Sequence, residues 1–98
     1  MNHMSRASRE AMITALAGLV DPLKRSLIGS SEVVLHDLSK MPNSIVAISG
    51  HLTSRNIGDP ATEALLRAWR EGTMQTRIGY ASTSPEGRAL RSSTILIE

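Results

Sequence analysis

The stretch SEVVLHDLSKMPNSIVAISGHLTSRNIGDP, Ser31 to Pro60, decides how the chain folds. Two Val/Ile/Leu-rich runs, Ser31 to Leu38 and Ser44 to Gly50, flank Ser39-Lys40-Met41-Pro42-Asn43, a group of residue types that turns favour. Short apolar runs around a short polar connector predict an antiparallel strand pair. The same stretch holds His36, Asp37, His51, Arg55 and Asp59, which serve either as chemistry or as framework.

Upstream of the strands, Met12, Leu16, Leu19, Leu23 and Leu27 recur every three or four residues, and Ile13 and Val20 widen the stripe. This is the pattern of an amphipathic helix from about Ser8 to Ile28. Asp21 is a good N-cap and Pro22 suits a first helical position, so two helical pieces meeting near Asp21 are expected, with Gly29 as the stop. Downstream, Asp59 and Pro60 predict the start of a second helix that carries Leu65, Leu66 and Trp69 and ends at Gly72. From Met74 the apolar period returns to two, broken at Ser84-Pro85-Glu86-Gly87, which suits a type I turn and makes the remainder a hairpin. Pairing about that turn sets Tyr80 opposite Arg91 and Ile78 opposite Ser93, with Ser92 and Thr94 on the wetter face; a slip of one residue exchanges the faces. Helix, two strands, helix, two strands is an α+β order with antiparallel pairing.

Ninety-eight residues fit one small domain, and a chain of this length has a thin core. Phe is absent and Trp69 and Tyr80 are the only aromatics, so aliphatic side chains fill the interior, and a base-stacking platform for single-stranded nucleic acid is not expected. Eleven basic against nine acidic residues give a net charge of +2, spread along the chain instead of gathered on one face. No cysteine is present, which removes disulfides, thiolate metal sites and thiol nucleophiles and fits a reducing, cytoplasmic setting. The apolar run Ala11 to Val20 is too short to span a bilayer. Met1 to Met4 read as a cloning remnant, leaving 5–98 as the domain.

The chemistry-bearing residues match no catalytic pattern. His36 and Asp37 are adjacent, and neighbours in a strand point to opposite faces, so they cannot converge on one metal or form a relay. His36 shares a face with Val34 and Leu38, and Asp37 lies with Val33 and Leu35. There is no GxSxG for a hydrolase, no HExxH for a metal, and no GxxxxGK[ST] for a phosphate loop. What remains is HLTSRNIGDP, where Gly58 frees the backbone ahead of Asp59 and Arg55 either binds an anion or pairs with Asp59.

Taken together, EVVLHDLSKMPNSIVAISGHLTSRNIGDPATE (Glu32 to Glu63) and GRALRSSTILI (Gly87 to Ile97) resemble the YheO-like PAS domain of bacterial transcriptional regulators. The resemblance implies a PAS-like antiparallel sheet with helices packed on it, acting as the sensory half of a regulator. The DNA-binding half of such a regulator is a C-terminal helix-turn-helix, which this chain lacks. Relative to the family pattern, the sequence stops before a final strand. The family's recurrent residues fall on His36, Asp37, Asn43, Ser44, His51, Thr53, Arg55, Gly58, Asp59, Arg91, Ser92, Ser93 and Thr94.

On this basis the expected ligand-binding set is His36, Asn43, Ser44, His51, Thr53, Arg55, Arg91 and Ser93. Asp37, Gly58, Asp59 and Pro60 are expected to be structural. The expectation is a non-enzymatic sensory domain without cofactor or metal, taking a small polar or anionic effector and touching DNA only through a region not in this chain. A different class of function, a dimerisation or interaction module with no small-molecule ligand, follows if the pocket is filled by the domain's own side chains. A missing last strand leaves apolar edges at Glu32 to Leu38 and Leu90 to Ile97, so a homodimer is expected.

Overall fold

The computed structural model describes residues 5–84 and 86–97. In chain order the elements are helix α1 (Arg6–Ser26), strand β1 (Val33–His36), a short 3-10 turn (Leu38–Lys40), strand β2 (Ile45–Ser49), helix α2 (Glu63–Glu71) and strands β3 (Arg77–Thr83) and β4 (Ala89–Thr94). The expected α+β order is observed, with the antiparallel pairing in two separate two-stranded sheets, β1–β2 and β3–β4. The chain forms two units that meet in sequence between Ala61 and Thr62.

In the first unit α1 packs on both β1 and β2. Ser5 opens the helix, its hydroxyl accepting from the Ser8 amide at 3.0 Å. Met12, Ile13, Leu16, Ala17, Val20 and Lys24 are its covered positions, spaced as one helical face. The buried hydrophobic residues among the described ones are Val20 and Ile45, at 6% and 1% exposure, so the core is as thin as the chain length implies.

The expected break near Asp21 does not occur: α1 is one 21-residue helix with Pro22 inside it. Asp21 is occupied elsewhere, pairing with Arg25 at 3.1 Å and accepting the Ser49 hydroxyl at 2.8 Å, so it is not a cap. Pro22 removes one backbone donor, and packing of α1 on the strand pair holds the helix together.

β1 and β2 pair as Val33 with Ser49, Val34 with Ile48 and Leu35 with Ala47; a bulge that skips Val46 then places His36 opposite Ile45. The chain leaves β2 at Gly50, whose φ of +105° lets the backbone pass hard against the Ser31 carbonyl and the Glu32 Cα.

In the second unit, α2 starts later than Asp59-Pro60 predicts. Thr62 is its cap, with the hydroxyl accepting from the Leu65 amide at 3.2 Å. Asp59 instead folds back on its own turn, taking the Asn56 amide at 2.8 Å. α2 ends at Gly72 as expected. The β3–β4 register differs from the expected one by one residue near the turn: Tyr80 faces Ser92 and Ala81 faces Arg91. Gly79, at φ +66°, makes a bulge that restores the expected alignment at Arg77 and Thr94. The faces exchange accordingly. Ser92 and Thr94 lie on the covered side and Arg91 and Ser93 on the open side. The covered hydroxyls satisfy one another, Tyr80 with Thr94 at 2.6 Å and Ser82 with Ser92. The expected turn includes Pro85, which lies outside the described residues; around it the Ser84 and Arg88 backbones pair at 2.9 Å. Met1 to Met4 lie outside them too.

Candidate functional site

Glu32 stands at the entrance to β1, with a side chain only 5% exposed. A buried carboxylate requires partners, and Thr53 and Arg55 supply them. The Thr53 amide donates to Oε2 at 3.0 Å, the Thr53 hydroxyl to Oε1 at 2.8 Å, and Arg55 Nη2 to Oε1 at 3.0 Å. Arg55 Nε also donates to the Thr53 hydroxyl at 3.0 Å, which fixes the guanidinium against the same group. One carboxylate thus ties the irregular segment 50–58 to the start of the first strand. Arg55 pairs with Glu32, and the Asp59 partner weighed from sequence is committed to Asn56.

His36 follows on β1. Its Nδ1 lies 2.7 Å from the hydroxyl of Ser44, a fully buried side chain. Burial, and secondly the nearby Arg55 cation, push the His36 pKa below its ordinary 6.5. A serine beside a neutral imidazole has the form of a nucleophile and base. Ser44 is at 0% exposure, so no substrate atom reaches it, and the pair acts as framework.

The depressed His36 pKa makes stability depend on pH. The unfolded state binds the proton more tightly, so the contribution of neutral His36 is complete above pH 6.5 and is lost as pH falls through the lower folded value. Denaturant midpoints measured from pH 8 down to pH 5 are expected to fall below about pH 6.5. A His36→Gln variant should flatten that limb; an unchanged limb would assign it to other groups.

The remaining residues take structural roles or stand apart. Asp37 accepts from the Ser39 amide and hydroxyl at 3.0 and 2.7 Å and caps the 3-10 turn. Asn43 donates to the Gly58 carbonyl at 3.1 Å, and the Gly58 amide to the Ile45 carbonyl at 2.8 Å, fastening the far end of the 50–58 segment to β2. Pro60 is exposed, and the neighbouring Ala61 amide donates to the Pro42 carbonyl at 2.8 Å. His51 is exposed. Thr53 and Arg55 are joined by Glu32, and Ser44 by His36. Arg91 and Ser93 belong to the second unit, where Arg91 donates to the Gly79 carbonyl at 3.3 Å and Ser93 accepts the Gly79 amide at 3.0 Å.

Sequence reasoning missed Glu32 and its neighbour Ser31, whose buried hydroxyl has no hydrogen-bond partner among the described residues. Period-two alternation sets Glu32 on the face of Val34 and His36, a charge beside an apolar strand run, and that was the available signal. No group of three or more His, Asp or Glu among the described residues could hold a metal, and no described helix is long and apolar enough to cross a membrane.

The buried ion pair fastens an irregular segment to the strand pair of an α+β domain, and the class of such a domain is given by its family, a PAS-type sensory or interaction module. The YheO-like PAS domain profile matches residues 7–98, and the chain belongs to that family. An uncharacterised protein of Haemophilus influenzae is 28% identical over 88 residues; the match covers 89% of this chain and 40% of that relative, so the chain spans well under half the relative's length. No solved structure matches the chain.

Proposed function

We propose that this chain is the sensing part of a cytoplasmic transcriptional regulator. It performs no catalysis, binds a small polar or anionic effector at the 50–58 segment, and relays the event to a DNA-binding region outside this chain. The observation that carries the reading is a buried carboxylate, Glu32, on which Thr53 and Arg55 converge. If the Glu32 contacts that tie this irregular segment to β1 can open, the segment has two arrangements, and a ligand that prefers one shifts the balance by its differential affinity. Family membership supports the sensory role.

Calorimetry of the chain against a library of small carboxylates and phosphates tests this. A binder is expected, weakened about tenfold or more when Arg55 is changed to Ala. If no compound binds and Arg55→Ala and Arg91→Ala titrate and melt like the parent, the reading fails.

A dimerisation module is the second reading, favoured by Leu19 and Leu23, which lie 59% and 51% exposed on consecutive turns of α1. Every strand also leaves one edge unpaired among the described residues. Sedimentation at micromolar concentration is expected to show a homodimer that Leu19→Glu with Leu23→Glu dissociates; a monomeric parent would sink this reading.

A further inference from the structure

We infer that Thr53 and Arg55 form an exchangeable carboxylate receptor, with Glu32 as its resident occupant and a small monocarboxylate as the ligand that replaces it. The inference deepens the sensory reading and rests on it for its biological meaning.

The donor set is built for one planar anion. A backbone N–H serves one carboxylate oxygen, while a hydroxyl and a guanidinium N–H serve the other, at 2.8 to 3.0 Å. The guanidinium is held in place through the Thr53 hydroxyl and not only through its anion, so these donors keep their mutual arrangement if Glu32 leaves. The side-chain exposures, 5% for Glu32 and 22% for Arg55, make this a partly desolvated site in which a charged hydrogen bond is strong. Next to Glu32, the Ser31 hydroxyl is buried and unpartnered among the described residues, a polar group without an assignment at the same strand entrance.

The charge arithmetic selects the ligand class. Arg55 supplies one positive charge, and one carboxylate balances it. Exchange of Glu32 for a free monocarboxylate is neutral, because the displaced Glu32 carboxylate turns to water, where it needs no partner. A phosphate dianion leaves a second negative charge uncompensated in a site that is largely buried. Neutral His36, on the same strand, adds no second cation to match a dianion. The exchange releases segment 50–58 from β1, which is the change a sensory domain passes on.

While Glu32 is present the receptor is open for only a fraction of the time, and the apparent affinity for an external anion falls by that fraction. Emptying the receptor must therefore reveal the ligand. The experiment is calorimetric titration of the whole chain with sodium acetate against equimolar sodium chloride, for the parent, Glu32→Ala and Glu32→Gln, with melting curves in parallel. Acetate is expected to bind Glu32→Ala at least about tenfold more tightly than the parent and to raise its melting temperature where chloride does not. Adding Arg55→Met to Glu32→Ala should abolish both effects. Should Glu32→Ala not fold, Glu32→Gln keeps the volume and one acceptor while losing the charge, and the same gain in acetate affinity is required of it.

Acetate that binds the variants no better than the parent, or no better than chloride, overturns the receptor. A library effector that binds the parent with an affinity unmoved by Glu32→Gln and Arg55→Lys overturns the exchange while leaving the sensory reading intact. Acetate uptake by Glu32→Ala with no effector for the parent supports the receptor and counts against the sensory reading.

Discussion

Gly50→Ala is expected to remove about 3 kcal/mol or more of stability, because it combines a backbone conformation that L residues avoid with a collision that no rotamer relieves. At φ +105° the residue lies beyond the left-handed region that asparagine or aspartate tolerate. A Cβ there would press on the Ser31 carbonyl oxygen and lie 2.9 Å from the Glu32 Cα, both backbone atoms at the entrance to β1. Either β1 moves, carrying Glu32 away from Thr53 and Arg55, or the turn leaving β2 opens. Gly58→Ala is the internal control: its φ is +89°, but nothing lies within 4 Å of the added carbon, so it bears the conformational strain alone, on the order of 1–2 kcal/mol. In a domain of this size the difference separates the two variants by several degrees in melting temperature. Equal losses would show that the approach of segment 50–58 to β1 is looser than described.

Glu32→Ala has the second-largest expected effect, a loss of about 2–4 kcal/mol, since it leaves the Thr53 amide and hydroxyl and the Arg55 guanidinium without their shared acceptor. The partial exposure of Arg55 lets water recover part of this, which places the figure below that of a fully enclosed pair. Glu32→Gln retains one acceptor and should lose less. A double-mutant cycle with Arg55→Ala isolates the pair: a coupling of about 1 kcal/mol or more is expected, and one near zero means the knot is held by Thr53 alone.

The parts of the fold legible in the sequence are those written in local periodicity. The α1 stripe, the two Val/Ile runs around Met41-Pro42, the end of α2 at Gly72 and the last hairpin all follow from residues three, four or two apart. The boundary of α2 was misplaced because Asp59-Pro60 and Thr62-Glu63 both offer starts, and hydrogen bonds decide between them: Asp59 answers to Asn56 and Thr62 to Leu65. The hairpin register was misplaced because the connection at its tip is one residue longer than the turn assumed, pairing Thr83 with Ala89 and turning Arg91 to the open side, an offset that the bulge at Gly79 then absorbs. In the candidate site, Thr53, Arg55, His36 and Ser44 were legible as polar residues among apolar runs. Their partnerships were not, because Glu32 and Arg55 lie 23 positions apart across a segment with no period to follow.

Pro22 gives α1 a mechanical property as well as a missing hydrogen bond. Having no N–H, it leaves the Gly18 carbonyl without its usual intrahelical partner, and Gly18 contributes no side chain to stiffen that turn. The helix is therefore most compliant between Gly18 and Pro22. Within that turn lies Asp21, whose carboxylate accepts from Ser49 at the end of β2, immediately before Gly50. A displacement of segment 50–58 therefore reaches α1 at its softest turn, through a carboxylate that is itself anchored to the strand.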